Sequence, residues 1–297
     1  MLEIEKKSAL NAKVAQYFKA ACMAEIEALK PGNVHVFADG HGMTVQDFMQ
    51  SAEAVSKVIA QPDLTIGQRI LYSVQATQKA VACNTNLGII LLCAPMVQAI
   101  LTPVNDDFYS NLAHVLQHLT VDDAQLTFTA IVLANPAGLG ESDQYDVRKY
   151  SMHQTADCTL LQAMQLAAQR DLIAAQYSNN FEAIFNLGLP LLNESSHLHR
   201  SWVITKLYLT LLSTFADSHI VRKHGVKMAA DIQQQAKQHL TEFSLLDNPK
   251  LYLGKLLAWD KALKQLQINP GTSADLTVAV LFADALNNLT IERVFNL

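Results

Sequence analysis

Fourteen residues, Lys30-Pro31-Gly32-Asn33-Val34-His35-Val36-Phe37-Ala38-Asp39-Gly40-His41-Gly42-Met43, place two imidazoles, an ammonium and a carboxylate between stretches that read as helix. Glu25 and Glu27 stand just before them. Carboxylates and imidazoles at this density could act as acid and base groups, or hold a divalent ion. One Pro and three Gly interrupt the helical run, so the polar residues fall on a loop held by rigid helices. An ordinary connecting loop with solvated side chains fits the same residues, and for any single His or Glu that plainer role is the commoner one.

Four further stretches concentrate polar groups. Asn84-Thr85-Asn86-Leu87-Gly88 precedes the very apolar Ile89-Ile90-Leu91-Leu92-Cys93-Ala94, so backbone donors are exposed at a helix start that suits an anion such as phosphate. Capping needs only one of those side chains. Pro136 to Arg148 carries two Gly, three acids and an Arg, as a flexible loop or a metal-binding flap would, without the spacing of a P-loop. Asp217-Ser218-His219-Ile220-Val221-Arg222-Lys223-His224-Gly225 suits a polyphosphate, with Arg forking onto oxygens and Lys adding a point charge. A basic helix end closed by Gly explains it equally well. Asn269-Pro270-Gly271-Thr272-Ser273-Ala274-Asp275 presents donors at another helix start, which capping alone also explains.

Helices must position these groups. Apolar spacing at Val14, Tyr17, Ala21 and Ala24 predicts a helix over 7–29. Thr44 with Asp47 approximates a capping box opening a helix that ends near Ala60, before Pro62. Further helices are predicted over 65–82, 87–101 with Pro95 as a kink, 107–118, 121–134, 155–177, 179–187, 198–215, 225–243, 248–267 and 273–289. Polar loops are expected at 30–43, 84–88, 136–154, 217–225 and 269–275. Strand signals and solenoid repeats are absent. The expected fold is all-α, a single compact multi-helix bundle forming one domain over 1–297.

Composition narrows the function. Of 297 residues half are hydrophobic and 16% charged, and the net charge is −5. With a pI near 6.0, this argues against a nucleic-acid binder, which carries a basic stripe. The start lacks a signal core, and the apolar run 87–101 is too short to span a membrane. A cytoplasmic protein is expected, binding neither membrane nor nucleic acid and compatible with homo-oligomer formation. Cys22, Cys83, Cys93 and Cys158 show no zinc-like spacing and read as reduced, structural thiols.

In order, these segments resemble the triphosphoribosyl-dephospho-CoA synthase family over about residues 15–290. Glu25 with Lys30-Pro31-Gly32-Asn33-Val34-His35 is similar to the family's Glu followed by Lys-Pro-Gly-Leu-Val-Asp. Gly40-His41-Gly42-Met43 resembles Gly-Ala-His-x-Asp-Met, and Asn84-Thr85-Asn86-Leu87-Gly88 resembles Asn-Thr-His-Lys-Gly. Asp217-Ser218 through Arg222 and Gly225 resembles Asp-Thr…Arg-x-Gly. Pro270 to Leu276 resembles Pro-Gly-Gly-Ser-Ala-Asp-Leu. The departures are His35 for the acid, Gly42 for the second Asp, Asn86-Leu87 for His-Lys, and Arg170-Asp171-Leu172-Ile173 for Arg-Gly-Glu-Ala.

The resemblance implies attack of a ribose 2′-hydroxyl of 3′-dephospho-CoA on C1′ of ATP, with release of adenine, in prosthetic-group biosynthesis. Such a displacement develops oxocarbenium character. On this reading Glu25 and Asp39 are the candidate carboxylates, and His35 and His41 the candidate proton carriers. Lys30, Asn33, Asn84, Thr85, Asn86, Arg222, Lys223, Thr272 and Ser273 are expected to hold substrate and phosphates. Glu25, Asp217 and Asp275 are expected to hold Mg²⁺. Two other readings fit the same stretches: phosphoribosyl transfer to another precursor such as a methanopterin-type pterin, and a non-catalytic helical nucleotide-binding protein.

Overall fold

The computed structural model describes residues 2–136 and 156–295. Fourteen α-helices account for most of them, and no strand occurs among the described residues. The helices are α1 (Leu2–Glu27), α2 (Val45–Ile59), α3 (Ile66–Val81), α4 (Leu87–Leu101), α5 (Phe108–Gln117), α6 (Val121–Ala134), α7 (Leu160–Ala167) and α8 (Leu172–Ser178). A π-helical turn, Ala183–Gly188, runs into α9 (Leu189–Glu194). There follow α10 (Arg200–Thr214), α11 (Ser218–His224), α12 (Val226–Ser244), α13 (Leu253–Gln265) after a 3₁₀ turn, and α14 (Gly271–Phe295).

Local chemistry starts these helices where the sequence suggests. Thr44 and Asp47 form a complete capping box at α2, and Thr65 with Gln68, Thr120 with Asp123 and Thr159 with Gln162 do the same at α3, α6 and α7. Each box satisfies two otherwise orphaned donors. Three expectations need correction. The helix expected over 155–177 is two short ones, because Asp171 opens a new cap at α8 by accepting from the Ile173 and Ala174 N–H groups. The loop expected at 217–225 is the seven-residue α11, capped by Asp217. The loop expected at 269–275 is already the first turn of α14.

Two apolar clusters lie on opposite faces of α10. Ile204, Leu207 and Leu211 join the larger one, built around α1, α4 and α14, whereas Tyr208, Leu209 and Leu212 join a smaller one with α11, α12 and α13. Helix α4 is buried along nearly its whole length. Pro95 within it cannot donate to the Leu91 carbonyl, and the buried Tyr177 hydroxyl takes that place at 2.6 Å. The segment Gly271–Glu292 of α14 is long and apolar enough to cross a membrane, but 61% of its apolar window is buried within the fold. It is the core helix of this bundle. All four cysteines are free thiols, three of them buried.

Candidate active site

One cavity of about 730 Å³, within the usual range for small-molecule sites, opens between the two apolar clusters. Glu25 near the end of α1, Asn33 and His41 on the following loop, and Cys83 to Ile89 at the start of α4 form one side. Arg170, Asp171, His219, Arg222, Lys223, Asn269 and the first turn of α14 form the other.

The loop 30–43 is held by groups that point into the protein. Gly32 has a left-handed φ of +84°, and a Cβ there would lie 2.8 Å from Pro270 Cδ and 2.9 Å from Leu263 Cδ1, so only Gly fits. Its N–H donates to Asp260 Oδ1 at 2.8 Å, and the preceding Pro31 carbonyl accepts from Tyr208 Oη at 2.7 Å. Lys30 is fully buried, with Nζ 2.6 Å from Glu25 Oε1, 3.0 Å from Asn33 Oδ1 and 2.6 Å from the Val34 carbonyl. Burial pushes the Glu25 carboxyl up and the Lys30 ammonium down. The three acceptors around Nζ call for three protons, which keeps Lys30 an ammonium and Glu25 its counter-ion.

Several predicted site residues are therefore occupied elsewhere. Lys30 does not line the cavity and has no donor left for a phosphate. His35 is also fully buried away from it. Its Nδ1 accepts from the Phe37 N–H, and Nε2 faces Asp260 Oδ1 at 3.3 Å. Asp39 is exposed and accepts from the Val45 N–H at the start of α2, so it caps a helix. Asp217 is buried and accepts from the Ser273 N–H and hydroxyl as well as from His219 and Ile220 N–H. Ser273 is consumed by that contact, and Thr272 Oγ1 accepts from the His219 N–H. These residues brace the site from behind.

Others do face the cavity. Asn33 Nδ2 donates to Asn269 Oδ1 at 2.8 Å, joining the two walls. Asn84 accepts from the Leu87 N–H, Thr85 donates to Ser51, and Asn86 accepts from Thr77, so this triad is prearranged at the start of α4. Arg222 Nη1 lies 2.5 Å from Asp171 Oδ2, half exposed at the mouth, with Lys223 beside it. Asp275 sits against Gly88, where an added Cβ would come 2.0 Å from its Oδ2. Burial, then the charges of Glu25 and Asp217, push the Asp275 carboxyl well above the ordinary range.

Glu25, Asp217 and Asp275 do not converge as a three-carboxylate ion site, and no group of three or more metal-ligating side chains occurs among the described residues. Asn269, Arg170 and His219 line the cavity and Asp260 supports it, although none of the four is among the expected site residues. His219 and Asn269 lie within polar stretches that stand out as wholes, and Arg170-Asp171 departs from the family pattern, but Asp260 lies mid-helix with nothing local to mark it. Of the flap expected at Pro136 to Arg148, only Pro136 is among the described residues, at the cavity edge.

A family model described as ATP:dephospho-CoA triphosphoribosyl transferase matches residues 11–294. The crystal structure of an Archaeoglobus fulgidus protein assigned as a triphosphoribosyl-dephospho-CoA synthase superposes with a TM-score of 0.60 at 21% identity. It covers 81% of this chain and 97% of its own, and supports the fold. Among curated proteins none matches the sequence.

Proposed function

The chain belongs to the ATP:dephospho-CoA triphosphoribosyl transferase family, and from that premise we infer that its cavity binds ATP and 3′-dephospho-CoA, joins the triphosphoribosyl group to the acceptor and releases adenine. One observation carries the assignment to this cavity. It brings the buried Glu25 and the partly buried Asp275 together with the cations Arg170, Arg222 and Lys223 and the starts of α4 and α14. Displacement at C1′ calls for negative charge beside a developing oxocarbenium ion and positive charge along a triphosphate.

Glu25 is the carboxylate assigned to the ribose, since Lys30 keeps it ionised and fixed. Arg222 and Lys223 take phosphate oxygens at the mouth, Arg222 exchanging its surface contact with Asp171 for the stronger bidentate contact with phosphate. Asn84, Thr85 and Asn86 orient the nucleotide at the start of α4, where the helix dipole favours an anion. A triphosphate placed there lies beside Asp275, so a cation between them is required. The oxygen donors fit Mg²⁺, which is bound through one or two carboxylates together with substrate phosphates. Asp275 and Glu25 would hold it, and when bound it supplies charge neutralisation for the triphosphate. A cytoplasmic location follows from the substrates.

The test is incubation of purified protein with ATP, Mg²⁺ and 3′-dephospho-CoA, with adenine followed by chromatography and the product by mass. Adenine and triphosphoribosylated acceptor should form in equal amounts. Absence of adenine release with this acceptor would defeat the reading.

A further inference from the structure

His41, one of the residues lining the cavity, carries an imidazole nitrogen that the protein leaves without a partner. His41 Nε2 lies 2.7 Å from the Gly32 carbonyl, which can only accept, so Nε2 carries the ring proton. Nδ1 is then a bare lone pair, and it is buried with no hydrogen-bond partner. Leaving a buried polar atom unmet is unfavourable. His41 also adopts a left-handed φ of 57°, an unfavourable backbone for a residue with a Cβ. Of the described residues that hold such an unpartnered buried atom, only His41 lines the cavity, and a small shift of its loop would open Nδ1 to a substrate donor.

The tautomer is enforced from behind. The Gly32 peptide that holds Nε2–H is itself clamped through its N–H by Asp260 Oδ1. Asp260 is anchored by His35 at 3.3 Å and Lys264 at 3.0 Å. The other imidazoles are less suited. Both His35 nitrogens face partners, and the pKa of His219 is pushed down to about 4 by burial and then by Arg222 and Lys223.

We propose that His41 Nδ1 is the base that accepts the proton of the attacking hydroxyl, and that Asp260 is a positioning residue acting on it through the Gly32 peptide. The proposal rests on the transferase reading above. As the hydroxyl O–H bond breaks, its proton passes to Nδ1 and its oxygen bonds to C1′. The C1′–N9 bond breaks with its electron pair leaving on adenine, which then takes up one proton, so that one proton moves in total from acceptor to adenine. Around His41 stand Lys223 and His219 on α11 and Lys264 and Asp260 on α13, with Glu25 also lining the cavity. Burial, opposed by the Gly32 contact and reinforced by Lys223 and Lys264, lowers the His41 pKa and leaves a neutral ring at pH 7.

Nitrogen-15 NMR of the wild-type imidazoles should show Nε2 protonated and Nδ1 bare from pH 6.5 to 8. A protonated Nδ1 overturns the proposal whatever the turnover, whereas a wild type that releases no adenine defeats the transferase reading instead. In His41→Gln the side-chain amide still reaches the Gly32 carbonyl, so the protein should stay folded while kcat falls about 10²–10⁴-fold. The acidic limb of the pH profile, set below pH 6.5 in the wild type, should vanish with it. His41→Asn, tolerated at positive φ, supplies a second folded variant with the same loss. Asp260→Asn should lower kcat about tenfold with KM for ATP unchanged and should weaken the Nε2–H signal. An acidic limb that survives in His41→Gln but disappears in His219→Gln overturns the assignment.

Discussion

Residues 30–43 and 217–223 are both rich in charge, yet they spend it in opposite directions. In the first, Lys30, His35 and Asp39 are bonded to the protein and face away from the cavity. In the second, Asp217 turns inward as a brace while Arg222 and Lys223 remain at the mouth. Density of polar residues therefore does not mark ligand contact. What marks it is whether a group's donors and acceptors are already used.

The sharpest test of that contrast is Lys30→Met. It leaves the Glu25 carboxylate buried without its counter-ion, a loss of about 3–5 kcal/mol. Chemical denaturation should show it, and kcat in the folded fraction should fall with it, because Glu25 without its counter-ion takes up a proton. Unchanged stability with lost ATP affinity would make Lys30 a ligand and erase the difference. Glu25→Gln comes next: adenine release should fall roughly 10²–10³-fold, as when a transition-state charge partner is removed. Full retention of adenine release would sink the assignment.

Lys223→Ala should be the mirror of Lys30→Met. Its melting temperature should match the wild type, and its KM for ATP should rise about tenfold, near 1.4 kcal/mol, with the effect shrinking as salt is added. The smallest effect is a gain. Asp275 is raised in the folded protein, so the stability linked to its proton is complete below the unfolded value near 3.9 and is lost as pH rises through the folded value. Asp275→Asn should thus melt about 2–4 °C higher at pH 8, with little change at pH 4, while losing activity. A melting difference independent of pH would show that the carboxylate does not titrate in the cavity wall.

Much of the fold was legible because its signals are local. The boxes at Thr44 and Thr120 and the apolar run 87–101 each declare a helix within a few residues. The break between α7 and α8 was hidden because Asp171 looks like any acid inside an apolar-periodic stretch. The site was half legible. Asn33, His41, Asn84 to Asn86, Arg222 and Lys223 do line the cavity, where short polar runs meet helix starts. Asp260 could not be seen, since its partners Gly32 and His35 lie more than 220 residues away and only packing brings them together. Likewise, no spacing rule separates the buried Lys30 from the solvent-facing Lys223.

Helix α14 packs against α1 and α4 and also carries Asp275 into the cavity. On the ribosome this puts the order of synthesis at odds with the order of assembly. Helix α1 must wait for α14 to be made before either the main core or the site can close. Until then the apolar faces of α1 and α4 stay open to aggregation or chaperone capture. A chain stopped before residue 271 would lose its central packing partner and one wall of its active site together.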